Sequence, residues 1–215
     1  MKILITLLFI IILTIFLGIT LIIFMKKLKI SKSIIKESLL ILILCIFGEI
    51  LAGIILSDIE KFLNLLPGVL ILVPIVSGTR GSLMGIFCSR LTSALHLGSI
   101  EANFKKAFFL KDNNFKENVF GVLFLTILIA ILSGAMAHYL CILFKFPSAG
   151  LFKFIFIVLI ASFLSDFTLI ITGTIISFFS FRKGFDPDNL LFPLNTTISD
   201  IISILFLVLS VRILV

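Results

Sequence analysis

The chain alternates between long apolar runs and short polar segments. Six of the apolar runs are long enough to cross a bilayer, because a membrane-spanning helix needs about 20 mostly apolar residues. Each run is predicted to be a helix, since the strand of a membrane barrel alternates apolar and polar positions over about ten residues. The predicted spans cover residues 3–24, 34–56, 65–97, 119–144, 151–179 and 191–214.

Two of these runs have unusual lengths. The first is longer than the roughly 7–15 apolar residues of a signal peptide, so we predict a retained membrane helix. The third is too long for one straight crossing, and Pro74 and a run of glycine, serine and threonine interrupt it. We predict that this helix is broken between Pro74 and Gly81, with Gly78, Gly81 and Ser82 exposing backbone carbonyls to an ion path.

Composition excludes several classes of protein. The 215 residues are 60% apolar and 13% charged, with a mean hydropathy of +1.34. Soluble domains carry about 25% charged residues, so a soluble enzyme, a disordered chain and a nucleic-acid binder are excluded. The net charge of +7 comes from basic residues scattered among apolar runs, as is typical beside membrane spans. We predict an all-α integral membrane protein with six spans, surrounded by the lipid bilayer.

Positive residues concentrate on one side of a six-span path. Residues 25–36, 99–118 and 180–189 hold eleven lysines and arginines, whereas the opposite side holds five. Because positive loops stay cytoplasmic, we predict that these segments lie inside the cell. Both termini of this multi-pass plasma-membrane protein would then lie outside.

Span six contains the most polar stretch of any predicted span, residues 195–200 (NTTISD). Asp200 lies well inside the span, with Thr196 and Ser203 on the same helical face and Thr197 nearby. A charge at membrane depth is costly and marks a functional or paired residue. Carboxylate and hydroxyl oxygens suit hard cations such as Mg²⁺ and Ca²⁺. We therefore predict a divalent-cation site with Asp200 as its main ligand.

Other charges within the spans leave alternatives open. Asp200 could instead form a structural salt bridge with Arg80 or Arg90, both in span three. Asp166 in span five and Glu49 in span two are either pore carboxylates or salt-bridge partners. For these two residues we favour structural pairing.

Three segments together resemble the MgtE-type magnesium transporters and their eukaryotic solute-carrier relatives. Residues 72–82 (LVPIVSGTRGS) resemble the family's proline and glycine-rich signature, although Ser82 stands where the family usually has asparagine. Residues 89–94 (SRLTSA), followed by Gly98, are similar to a run in the solute-carrier branch. Residues 184–200 resemble the family's last cytoplasmic turn and final helix, which carries the ion-site aspartate.

The resemblance implies an architecture and a function. Residues 34–215 would form the family's five-helix transport domain, and residues 1–33 would add a helix and a basic loop. Asp200 falls on the ion-site aspartate, and Thr196 on a position that lines the same site. The family implies a homodimer with its pore along the subunit interface, and Mg²⁺ that keeps much of its hydration as the transported ion. It implies a transporter and not an enzyme.

Three alternatives stay open. Asp166 and Glu49 could couple cation flux to Na⁺ or H⁺ in an exchanger. The single repeat could be a non-conducting subunit of a hetero-oligomeric complex. Asp166 and Asp200 could form an intramembrane aspartyl protease pair, but neither has the glycine-rich (G-x-G-D) surroundings expected of one.

Overall fold

In the computed structural model the backbone is described for residues 12, 14–16, 18–20, 32–59, 68–184 and 187–214. Contacts divide the chain into two units, Met1–Glu37 and Ser38–Val215. Most of the first predicted span, residues 3–24, lies outside the described residues, so the sixth helix stays a prediction.

The described residues form helices and contain no strand. Helix α1 is Lys32–Ser57, and a 3₁₀ turn at Val69–Ile71 leads into α2, Leu72–His96. The short α3, Phe104–Phe108, lies within the basic segment after α2, and the long α4, Asn113–Leu143, follows it. The chain continues through α5, Leu151–Lys183, and α6, Pro187–Leu214.

Five predicted spans are confirmed as helices. The helical segments that are long and apolar enough to cross a membrane are Ser38–Ser57, Val69–His96, Asn113–Leu143, Leu151–Lys183 and Phe192–Leu214. Helix α4 begins several residues before the predicted start of its span, because the side chain of Asp112 caps it by accepting from the N–H groups of Asn114 and Phe115. The all-α class and the multi-pass membrane architecture follow.

The predicted break in the third span is wrong, because α2 is one continuous helix. Pro74 occupies its first turn, where the missing N–H would have no helical partner. The polar side chains that follow bond back to the helix itself: the Thr79 hydroxyl donates to the Ile75 carbonyl, and the Ser82 hydroxyl to the Gly78 carbonyl. The carbonyls around Gly78 and Gly81 are therefore engaged within a helix.

Four helices make the body of the bundle. Helix α2 packs against α4, α5 and α6, and α5 lies between α4 and α6. The buried apolar side chains form two clusters, one around Phe154 and Leu207 and the other around Phe87 and Phe178. Helix α1 is more exposed and contacts α6 along one side. This arrangement leaves a face of α6 accessible beside α1.

The crossing of α4 and α5 depends on a glycine. A Cβ at Gly134 would lie 2.6 Å from the Ile155 Cα, whereas one at Gly121 in the same helix would meet nothing within 4 Å. We expect Gly134→Ala to lower the free energy of unfolding by about 1–3 kcal/mol through overpacking, and Gly121→Ala to leave it unchanged or raise it slightly. Thermal unfolding of the two variants in detergent measures this; equal midpoints would contradict the expectation.

Candidate cation site

The polar stretch of α6 divides between two faces of the helix. Asn195 and Ser199 are almost fully buried and point into the bundle. Thr196 and Asp200, one position further along in each case, are partly exposed toward α1. The helical period makes this division, because residues four apart share a face. Of the five polar residues in this stretch, Asn195 and Ser199 thus form an inner set, and Thr196 and Asp200 form an outer one.

An open groove lies between α1 and α6. Its volume is about 700 Å³, and its polar lining includes Glu49, Thr196 and Thr197 among apolar side chains. Asp200 is half-buried one turn beyond Thr196, next to the groove lining, and its carboxyl group interacts with that of Glu49. The Glu49 carboxylate and two hydroxyl-bearing side chains therefore line the groove, and the Asp200 carboxylate adjoins them through Glu49.

Close packing brings α1 to this strip. A Cβ at Gly48 would overlap the γ-methyl group of Thr197, so the two helices can approach this closely only because residue 48 has no side chain. The Cys45 thiol also lies 3.4 Å from the carbonyl of Pro193. Pro193 lies inside α6, and its carbonyl accepts from the Thr196 hydroxyl at 2.9 Å. The Thr196 oxygen keeps its lone pairs for a ligand.

A second set of charges lies inside the bundle. Arg80 of α2 donates to the carboxylate of Asp166 of α5, and the Thr126 hydroxyl of α4 donates to the same oxygen. All three side chains are fully buried. This network links three helices, and it gives Arg80 an anionic partner other than Asp200.

The remaining candidate residues lie elsewhere. Gly78 and Ser82 line a separate groove of about 520 Å³ between α2 and α4, and Gly81 is buried. Arg90 is exposed. Ser203 is fully buried and donates to the Asp200 carbonyl at 3.1 Å. The structure does not bring these residues to the groove between α1 and α6.

Sequence reasoning missed two contacts. It did not pair Thr126 with Asp166, and it did not place Glu49 beside Asp200. The sequence signal for the second was that both carboxylates lie within apolar runs, without a basic residue one helical turn away. Among the described residues, no three histidine, cysteine, aspartate or glutamate side chains cluster in a way that could hold a metal ion. A cation bound in this groove would need water or a second chain to complete its coordination.

Five helices that are long and apolar enough to cross a membrane define a multi-pass membrane protein. A carboxylate pair beside an open groove is typical of transport proteins, since charges at membrane depth mark ion and substrate paths. The sequence profile of the MgtE family, described as divalent cation transporters, matches residues 73–210. The chain belongs to the MgtE family, and the resemblance expected from the three sequence motifs is confirmed.

One relative among curated proteins is solute carrier family 41 member 2 of Macaca fascicularis. The two sequences are 28% identical over 166 residues, which cover 74% of this chain and 29% of the relative. The chain thus spans less than a third of the length of the relative it matches.

Proposed function

We propose that this protein carries a divalent cation, Mg²⁺, across the plasma membrane through a pore between two identical subunits. The observation that carries the proposal is the position of Asp200. Its half-buried carboxylate lies within a membrane-spanning helix, beside Glu49, and Glu49 lines an open groove together with Thr196 and Thr197. Arg80, in contrast, is paired with Asp166 inside the bundle. An intramembrane carboxylate in an accessible groove is the expected arrangement of an ion site.

Asp200 is the main ligand in this proposal, with the Thr196 and Thr197 hydroxyls beside it. Mg²⁺ gives up its water reluctantly and is commonly held by one or two carboxylates with several waters retained. A subunit that offers Asp200 on an open groove suits such an ion when a second copy faces it. The transport unit would comprise residues 34–215, with both termini outside the cell.

Transport by a homodimer can be tested in two measurements on the full chain. Proteoliposomes containing a Mg²⁺-sensitive dye should show uptake on addition of external Mg²⁺. The detergent-solubilised protein should have twice the chain mass of 23.9 kDa after correction for detergent. Absence of uptake would overturn the transport proposal. A complex with a different chain, inactive without it, would favour the alternative of a non-conducting subunit.

A second candidate function, proton-coupled exchange, is favoured by the contact between Glu49 and Asp200. Two adjacent carboxylates repel when both are ionised, so a proton and a divalent cation compete for the pair. We expect Glu49→Gln to keep downhill Mg²⁺ flux but to abolish any acceleration by a pH gradient. Flux into proteoliposomes with and without the gradient measures this. A wild-type Mg²⁺ flux that is the same with and without a pH or Na⁺ gradient would instead identify a channel.

A further inference from the structure

A third groove lies toward the end of the bundle that carries the basic loop, and its lining includes no residue of α1 or α6. Its volume is about 230 Å³, and it is enclosed by α3, α4, α5 and Leu110. Eleven of its twelve lining side chains are apolar. The exception is Thr174, whose hydroxyl donates to the carbonyl of Ile170 at 2.7 Å. The groove therefore offers an apolar occupant a surface without competing hydrogen-bonding groups.

The chain between α2 and α4 forms one wall of this groove. Phe104, Ala107 and Leu110 line it at intervals of three residues, whereas Lys105 and Lys111 are exposed. Leu110 adopts a left-handed backbone conformation with φ of 49°, which is uncommon for a residue other than glycine. The segment is amphipathic, with its apolar side facing the groove and its basic side facing away, as in elements that lie at a membrane interface.

Two of the aromatic side chains that line the groove each contact a basic side chain above the ring. The Lys116 ammonium lies 5.9 Å from the centroid of the Phe120 ring, and the Arg182 guanidinium 5.3 Å from that of Phe104. Both distances fall within the range of cation–π contacts. Lys116 and Arg182 are exposed, and the groove lining includes no carboxylate. Arg182 also donates to the backbone carbonyl of Ala102, and nearby Lys106 is paired with Glu101.

The surroundings decide what occupies the groove. Phe120, Phe167 and Ile175 line it and are 53%, 60% and 45% exposed, respectively. All three belong to membrane-spanning segments, so their exposed surface faces lipid. We propose that the groove binds one acyl chain of an anionic phospholipid of the bilayer, with Lys116 and Arg182 at its edge attracting the negatively charged headgroup. The apolar lining supplies affinity for the chain, and the two cations supply the preference for negative charge.

The site can be tested by native mass spectrometry of the full chain released from bilayers. Phosphatidylglycerol and phosphatidylcholine with identical acyl chains serve as the two probes. The protein should retain phosphatidylglycerol, and the double variant Lys116→Gln/Arg182→Gln should lower its apparent affinity about tenfold and abolish the preference. Lys153→Gln, at the opposite end of α5, is the matched control and should behave as the wild-type protein does.

A variant of the groove separates chain binding from headgroup binding. Ile175→Trp places a larger ring at the partly exposed rim and should lower retention of both lipids. Added phosphatidylglycerol should raise the thermal unfolding midpoint of the wild-type protein but not of the double variant, because a ligand of the folded state stabilises it. Equal retention of both lipids by the wild-type protein, or unchanged retention by the double variant, would refute the proposed anionic-lipid site. The groove would then contact bilayer lipids without preference.

Discussion

Asp200→Asn is expected to lower Mg²⁺ flux by at least about tenfold without destabilising the protein. The amide keeps the shape of this half-buried side chain but removes the charge that attracts a divalent ion. A tenfold loss corresponds to about 1.4 kcal/mol, which is modest for one full charge near a divalent ion. The same change relieves repulsion from Glu49, so the unfolding midpoint should stay constant or rise.

A loss of flux combined with a constant or raised unfolding midpoint makes this result diagnostic. A variant that merely failed to fold would lose flux and stability together. Glu101→Gln is the control, because it removes an exposed carboxylate from the surface pair with Lys106 and should leave flux unchanged. Flux into dye-loaded proteoliposomes at equal protein content measures the effect. Wild-type flux through Asp200→Asn would refute the assignment of this residue as the main ion ligand.

The second large effect is expected on stability. Arg80→Met leaves the Asp166 carboxylate buried among apolar side chains, with the Thr126 hydroxyl as its remaining partner. Removal of one member of a buried ion pair costs about 3–5 kcal/mol. The corresponding loss in the free energy of unfolding should appear in denaturant unfolding in detergent. It should exceed the effect of any single surface substitution.

Two further variants isolate the pair. Arg80→Met combined with Asp166→Leu should recover most of the loss, because Arg80 Nε and Nη2 have no hydrogen-bond partner among the described residues and the pair is incompletely compensated. Arg212→Met breaks the exposed pair with Asp58 and should cost only about 0–1 kcal/mol. If the single Arg80 variant were as stable as the Arg212 variant, the interior pair would contribute nothing to the fold.

The fold was largely predictable, because the thickness of the bilayer requires long apolar runs, and these can be recognised directly in the sequence. Five spans appear where these runs lie, with ends moved by caps such as that of Asp112. The break predicted in α2 was wrong for a local reason. Glycine, serine and threonine weaken a helix in water, but in a bundle their hydroxyls bond to the carbonyls one turn earlier, as Thr79 and Ser82 do.

The candidate site was only half predictable. The helical period places Thr196 beside Asp200 from sequence alone. Pairings across helices have no such signal: Arg80 and Asp166 are 86 positions apart, and any of several intramembrane charges could have been the partner of either. Glu49 was expected to pair with a basic residue. Its neighbour is instead Asp200, because the packing of α1 on α6 decides which charges meet.

That packing has a consequence for how the site can change over evolutionary time. Helix α1 packs tightly on α6 at Gly48, where a Cβ would overlap the Thr197 γ-methyl group. The adjacent residue is Glu49, so the distance between the Glu49 and Asp200 carboxylates depends on the absence of a side chain at residue 48. An ordinary point mutation at position 48 would widen that interval without touching an oxygen ligand. The spacing of the two carboxylates thus depends on Gly48, a residue that has no functional group.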